Sequence, residues 1–157
     1  MAVLLIADVA GEGLGLDSTA KAVTAVAGLG EIAVLVMGPR AAAEEAARIA
    51  GVARVLLAED AGHRLAEPMA ALVQGLAAGF SHVAAPSTSD AKNILPRVAA
   101  LLDVMVVSDV TAIVDEATFE RPIYAGNAVQ TVRSRDPVKV LTIRTAGYEA
   151  APMGGSA

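Results

Sequence analysis

Leu29-Gly30-Glu31-Ile32-Ala33-Val34 and Ala78-Gly79-Phe80-Ser81-His82-Val83 repeat one order of events: a helix end, a glycine, then strand residues. Working outward, the first is followed by Gly38-Pro39 and a helical stretch from Ala41 to Ala50. The second is followed by Pro86-Ser87-Thr88-Ser89-Asp90 and a helix to Leu102, with Pro96 inside it imposing a kink or a later start. Upstream, Val3-Leu4-Leu5-Ile6-Ala7 is apolar on both faces, as a central parallel strand is. Asp17 or Ser18 then caps a helix to Ala27, ended by Gly28 or Gly30. Gly51 stops the second helix and Val52 to Leu57 resumes the sheet, while Pro68 suits the first turn of a third helix to about Ala78. Alternating strands and helices predict right-handed βαβ units. The fold class is α/β, a three-layer sandwich around a mostly parallel sheet.

Past Asp103 the pattern changes. Val104 to Ile113 is strand-like and interrupted by Ser108-Asp109. Thr118 to Tyr124, Val129 to Ser134 and Lys139 to Thr145 follow too closely for intervening helices. They predict hairpin-connected antiparallel strands extending the sheet at one edge. Residues 1–147 read as the domain, and residues 148–157, ending Gly-Gly-Ser-Ala, read as a linker to a further domain.

The chain of 157 residues is long enough to bury the core of one ordinary domain. Hydrophobic residues make up 55% and aromatics 3%, so Ala, Val, Leu and Ile must build that core. A net charge of -5 argues against nucleic acid, whose binding needs a basic surface to displace counterions. The lack of cysteine removes disulfides, thiolate-held zinc, iron–sulfur clusters and a thiol nucleophile, and is compatible with a bacterial cytoplasmic location. The amino terminus enters a strand with no leader pattern before it. The longest stretch without Asp, Glu, Lys or Arg, Pro68 to Ser89, divides into helix, turn and strand, so membrane insertion is not expected.

Gly11-Glu12-Gly13-Leu14-Gly15 occupies the place of a dinucleotide fingerprint but lacks its spacing, and no acidic residue closes the second strand. It reads as a flexible turn. Ser87-Thr88-Ser89-Asp90, at a strand's carboxyl end, offers either a phosphate site with the crevice residues Asp8 and Gly38 or an ordinary helix cap. His63 and His82 belong to no ligand-spaced set, which leaves both as turn or solvent-facing side chains and predicts no metal. Glu44 and Glu45 with Arg48 read as helical charge pairing. No catalytic group is visible, so the chain is not expected to be an enzyme.

Three stretches carry a likeness to a known family. They are Arg121-Pro122-Ile123-Tyr124-Ala125-Gly126-Asn127-Ala128; Leu95 to Asp103 with Ser108-Asp109-Val110; and Val3 to Ala7 with Lys21-Ala22-Val23-Thr24-Ala25. Together they resemble the amino-terminal domain of the electron-transfer flavoprotein alpha subunit. The resemblance implies an adenine-nucleotide-hydrolase-like sandwich that packs as a scaffold against a beta subunit. It implies FAD held by a carboxyl-terminal domain beyond this chain, AMP in the beta subunit, and no cofactor here. It further implies electron transport, as in fatty acid oxidation, from acyl-CoA or similar dehydrogenases to a quinone reductase. Gly126-Asn127 suits a tight turn, since both residues tolerate positive φ, and Arg121 and Tyr124 then point at the beta subunit or the flavin domain, the segment serving either as turn architecture or as an interface. The alternative is a free-standing adenine-nucleotide module of the universal-stress-protein kind, although its glycine-rich phosphate segment is replaced by Pro86-Ser87-Thr88-Ser89-Asp90.

Overall fold

The computed structural model describes residues 1–59 and 65–157. In chain order it runs β1 (Ala2–Ile6), a small hairpin of β2 (Val9–Ala10) and β3 (Gly13–Leu14), α1 (Leu16–Val26), β4 (Glu31–Met37) and α2 (Arg40–Ala46). Then come β5 (Val52–Ala58), α3 (Ala66–Leu76), β6 (His82–Pro86) and α4 (Ser89–Leu101). The carboxyl-terminal third holds β7 (Val106–Val110), β8 (Ala112–Ile113), β9 (Thr118–Ile123), β10 (Ala128–Arg133) and β11 (Lys139–Ile143). A six-stranded sheet in the order β5-β4-β1-β6-β11-β7 is parallel throughout.

Both faces of that sheet are covered, which explains its unbroken apolar runs. Val3 and Leu5 of β1 point into a core shared with α1 and α2, while Leu4 and Ile6 point into the core under α3 and α4. Leu4 and Leu5 are 0% exposed, each worth roughly 1.5–3 kcal/mol of burial. Alanines supply the helix faces, Ala20 and Ala22 on one side and Ala70 and Ala99 on the other, so the backbones approach closely without aromatic filler. No helix among the described residues is long and apolar enough to cross a membrane.

The helix limits differ from the local signals in instructive places. α1 has Gly15 at its amino-terminal cap, with Asp17 and Ser18 inside the first turn, because the Ser18 hydroxyl is engaged by Asp8 instead. α4 starts at Ser89 and keeps Pro96 inside, so no later start occurs. α2 stops at Ala46, short of Ala50, and Arg48 lies past its end with no ion pair to Glu44 or Glu45 among the described residues. The carbonyls there are taken by the chain's last residues.

Those residues lie along α1 and α2. The Ala50 N–H donates to the Pro152 carbonyl at 2.8 Å, and the Arg48 carbonyl accepts from Gly154 and Gly155 at 2.8 and 2.9 Å. A Cβ on Gly155 would sit 2.5 Å from the Ile49 carbonyl oxygen and 3.0 Å from its carbon, both backbone atoms that cannot step aside. Gly155→Ala is therefore expected to cost more than about 1 kcal/mol and to release the tail. Hydrogen exchange at the Ala50 and Gly154 amides should accelerate; unchanged protection would refute that reading.

The antiparallel strands form a sheet of their own, β10-β9-β8, rather than extending the parallel one. It sits on the α1 side, anchored by Phe119, and replaces a crossover helix between β7 and β11. β11 differs most from the hairpin expectation. It enters between β6 and β7, parallel to both, with Val140, Leu141 and Ile143 fully buried. Its Val-Leu-Thr-Ile run is the two-faced pattern of a central strand, masked by the short spacing from β10.

Candidate functional site

Strand order reverses beside β1: β4 follows on one side and β6 lies on the other. The carboxyl ends of β1 and β6 thus frame the crevice where open α/β sheets bind ligands. Asp8 stands at the end of β1. Its N–H donates to the buried Thr19 hydroxyl at 3.1 Å, and its carboxylate accepts from the Ser18 hydroxyl at 2.7 Å. The Gly15 N–H donates to the Asp8 carbonyl at 2.8 Å, and a Cβ on Gly15 would lie 2.8 Å from the Asp8 carboxyl carbon. The glycine-rich loop is thus a hairpin that locks Asp8 onto α1, with Gly11 at φ 61 making its turn.

On the facing side Thr88 caps α4, its hydroxyl accepting from the Ala91 N–H at 3.3 Å. Asp8 and Thr88 share a cavity of about 20 Å³, walled by Val9, Met37, Met69 and Ile94. That is room for about one water molecule, not an adenine or a flavin ring. Gly38 does not line the cavity but lies behind its Val9 wall: its N–H donates to the Ala58 carbonyl, and Val9 packs 3.0 Å from where its Cβ would be. Ser87 also turns away, its N–H donating to the Ile143 carbonyl at 2.8 Å. The structure therefore brings Asp8 and Thr88 together in the cavity, keeps Gly38 behind its Val9 wall and turns Ser87 toward β11.

Ser87 belongs to a second polar group at the carboxyl ends of β6, β11 and β7. Asp109 adopts the left-handed backbone, φ 57, and its N–H donates to the buried Thr142 hydroxyl at 2.8 Å, where the β7–β11 register slips. Lys92 pairs with its carboxylate at 3.0 Å. Partial burial works against the Asp109 charge, but Lys92, the nearby Ser87 hydroxyl and Arg121 outweigh it and hold the carboxyl below the ordinary range. The Ser87 oxygen is itself buried without a well-formed hydrogen bond. The Ser108-Asp109 interruption in the strand was the local signal of this group; Lys92 and Thr142 had none.

Arg121 and Tyr124 part company. The Arg121 guanidinium donates through Nη2 to the Ser108 hydroxyl at 3.1 Å, and its Nε is buried with no partner. Tyr124 is 80% exposed at the tip of the β9–β10 hairpin. Positive φ falls on Tyr124, Ala125 and Gly126 (50, 55 and 90°), whereas Asn127 is at -73°. Three left-handed residues suffice to reverse the chain, so Asn127 returns to ordinary backbone. A non-glycine residue in that region is uncommon and strained, and here two stand side by side in an exposed hairpin tip.

His82 is neither exposed nor in a turn. It is 1% exposed, with Nε2 donating to the Glu116 carbonyl at 2.8 Å, Nδ1 facing the Ser81 hydroxyl at 2.9 Å, and its ring edge-on to Phe119 at 6.4 Å. His63 lies outside the described residues. No cluster of three His, Cys, Asp or Glu able to hold a metal occurs among the described residues.

A family model described as "Electron transfer flavoprotein domain" matches residues 3–157. The chain belongs to that family. Electron transfer flavoprotein subunit alpha of Paracoccus denitrificans is 65% identical over 161 residues, covering 100% of this chain and 52% of that protein. The subunit alpha of Pseudomonas aeruginosa is 48% identical, with the same shares covered. The mitochondrial subunit alpha of Dictyostelium discoideum is 40% identical over 90% of this chain and 44% of its own length. The chain thus spans about half the length of the curated relatives it matches. The switch-point crevice is too small for the isoalloxazine ring of a flavin, and the larger cleft beside Arg121 has no aromatic side chain in its lining.

Proposed function

We propose that this chain is the amino-terminal scaffold domain of an electron-transfer flavoprotein alpha subunit. It would hold a beta subunit while FAD, bound by the remaining length of the alpha subunit, carries electrons from flavin dehydrogenases to a quinone reductase or similar acceptor. In this reading residues 148–157 lead toward the flavin-binding part, AMP belongs to the beta subunit, and the heterodimer works in the bacterial cytoplasm. The observation that carries the reading is a family match over residues 3–157 together with a switch-point crevice holding about one water molecule. The exposed, strained hairpin tip at Tyr124 supports it as a contact point for the beta subunit or the flavin domain.

The test is size-exclusion chromatography of the purified chain with a beta subunit, paired with calorimetric titration of the chain alone with FAD, AMP and ATP. Co-elution without nucleotide binding at micromolar concentration is the expected result. One-to-one binding of AMP or ATP by the chain alone would replace the scaffold with a nucleotide module, with Thr88 and Ser87 the first residues to mutate.

A further inference from the structure

β7 ends the six-stranded sheet and is bonded only to β11, so every second backbone N–H and C=O on its outer edge lacks a ladder partner. Natural sheets cover or blunt such an edge. Here Met105, Val106 and Val107 instead form one wall of a cleft of about 480 Å³, and Arg121, Gln130 and Val132 of the antiparallel sheet form the other. Met105, at the mouth, is 71% exposed. That is a groove with a strand edge along one side, in the size range of a binding site.

Its charge is the opposite of the chain's. The lining contains three arginines, Arg121, Arg133 and Arg135, against one acid, Asp136, in a protein of net charge -5. Asp136 is already engaged, its carboxylate accepting from the Met105 N–H at 3.0 Å and from the Ser134 hydroxyl at 3.2 Å. Arg133 and Arg135 form no ion pair among the described residues, and the buried Nε of Arg121 has no acceptor. A buried guanidinium N–H without a partner is destabilising, and a carboxylate arriving beside it supplies the missing acceptor.

We infer that this cleft receives an extended, carboxylate-bearing segment of the beta subunit, which adds to the six-stranded sheet as a further strand along the outer edge of β7. Main-chain hydrogen bonds to β7 provide the attachment, and the three arginines select acidic side chains. The inference rests on the heterodimer reading above. It adds which edge is joined and by what chemistry.

Amide hydrogen exchange at those β7 residues whose N–H points away from β11, Val106 first among them, read in the heterodimer with the beta subunit, tests the strand, and the double variant R133E/R135E tests the charge. Both arginines are exposed, so the variant should fold, and its urea unfolding curve checks this. The expected results are exchange slowed by roughly ten-fold or more at those amides on complex formation, and heterodimer affinity about ten-fold weaker in the variant at low salt, with the difference shrinking at high salt. If the heterodimer forms but the amides exchange as in the free chain, the inference fails and the scaffold reading stands, whatever the charge reversal does. Protection with unchanged affinity in the variant overturns the selection of acidic side chains. If no heterodimer forms, both fall. Inorganic phosphate or citrate that perturbs the arginines, with the amides unprotected in the heterodimer, would assign the cleft to a free anion and also overturn it.

Discussion

Replacing Phe119 with alanine is expected to lower the unfolding free energy by roughly 3–5 kcal/mol. Phe119 is 0% exposed and heads the fully buried side chains by size in a core made almost wholly of aliphatic residues. It is also the anchor of the antiparallel sheet, inserted from β9 into the cluster that includes Val107, Val110, Leu141 and Ile143. The surrounding cluster is built of aliphatic side chains held in the sheet and helices, so relaxation into the cavity recovers little. Domains of this size keep about 5–15 kcal/mol in all, and the variant should show a much lower urea midpoint. Hydrogen exchange in β9 and β10 should accelerate before that in β1 and β4. Tyr124→Ala, at the 80% exposed hairpin tip, serves as the contrast and should shift stability by no more than about 0.5 kcal/mol. A Phe119→Ala loss below about 1 kcal/mol would show that the small sheet is held by its loops rather than by this side chain.

His82 should make the fold sensitive to acid. Burial pushes its pKa below the ordinary value of 6.5, only partly countered by the Glu116 carbonyl, and the Lys139 charge acts in the same direction as burial. A histidine kept neutral by folding stabilises fully above the unfolded pKa. That contribution is lost as pH falls from 6.5 toward the folded pKa, because the unfolded chain binds the proton first. Within that window the slope approaches about 1.4 kcal/mol per pH unit for one proton. His82→Gln removes the titrating group while keeping a donor, and should flatten this part of the stability–pH curve. His82→Ala should cost about 2–4 kcal/mol at neutral pH, since it opens a cavity and leaves the Glu116 carbonyl unpaired. Identical acid profiles for wild type and His82→Gln would remove His82 from the account.

The parallel core was legible because local pattern and final environment agree there. Val3 to Ala7 and Ile32 to Met37 are apolar at every position, and both become strands buried on two faces. Thr88 was readable as a cap, and the rule placing ligands at strand ends brought Asp8 near it. Other features depend on pairings distant in sequence. Nothing between Ser134 and Lys139 announces that β11 will insert between β6 and β7, and with that insertion unseen, Thr142 could not be placed beside Asp109. His82 failed for a similar reason. Its burial comes from Phe119 and Glu116, 37 and 34 residues later, whose positions follow from the antiparallel sheet. Arg121 was tied to Tyr124 by proximity in sequence, whereas β9 sends one into the cleft and leaves the other at the tip.

The position of β11 also sets the order in which the molecule can be completed during synthesis. A ribosome releases β5, β4, β1 and β6 as a ready set of neighbours, but β7 has nothing to pair with until residues 139–143 emerge. Through that interval the nascent chain carries one open edge on β6 and a detached Val-rich segment. The local β9–β10 hairpin can close early, and it delivers β11 to the gap. The six-stranded sheet therefore cannot close until residues 139–143 have emerged, and until then an unpaired strand edge and an apolar segment are open to association with other chains.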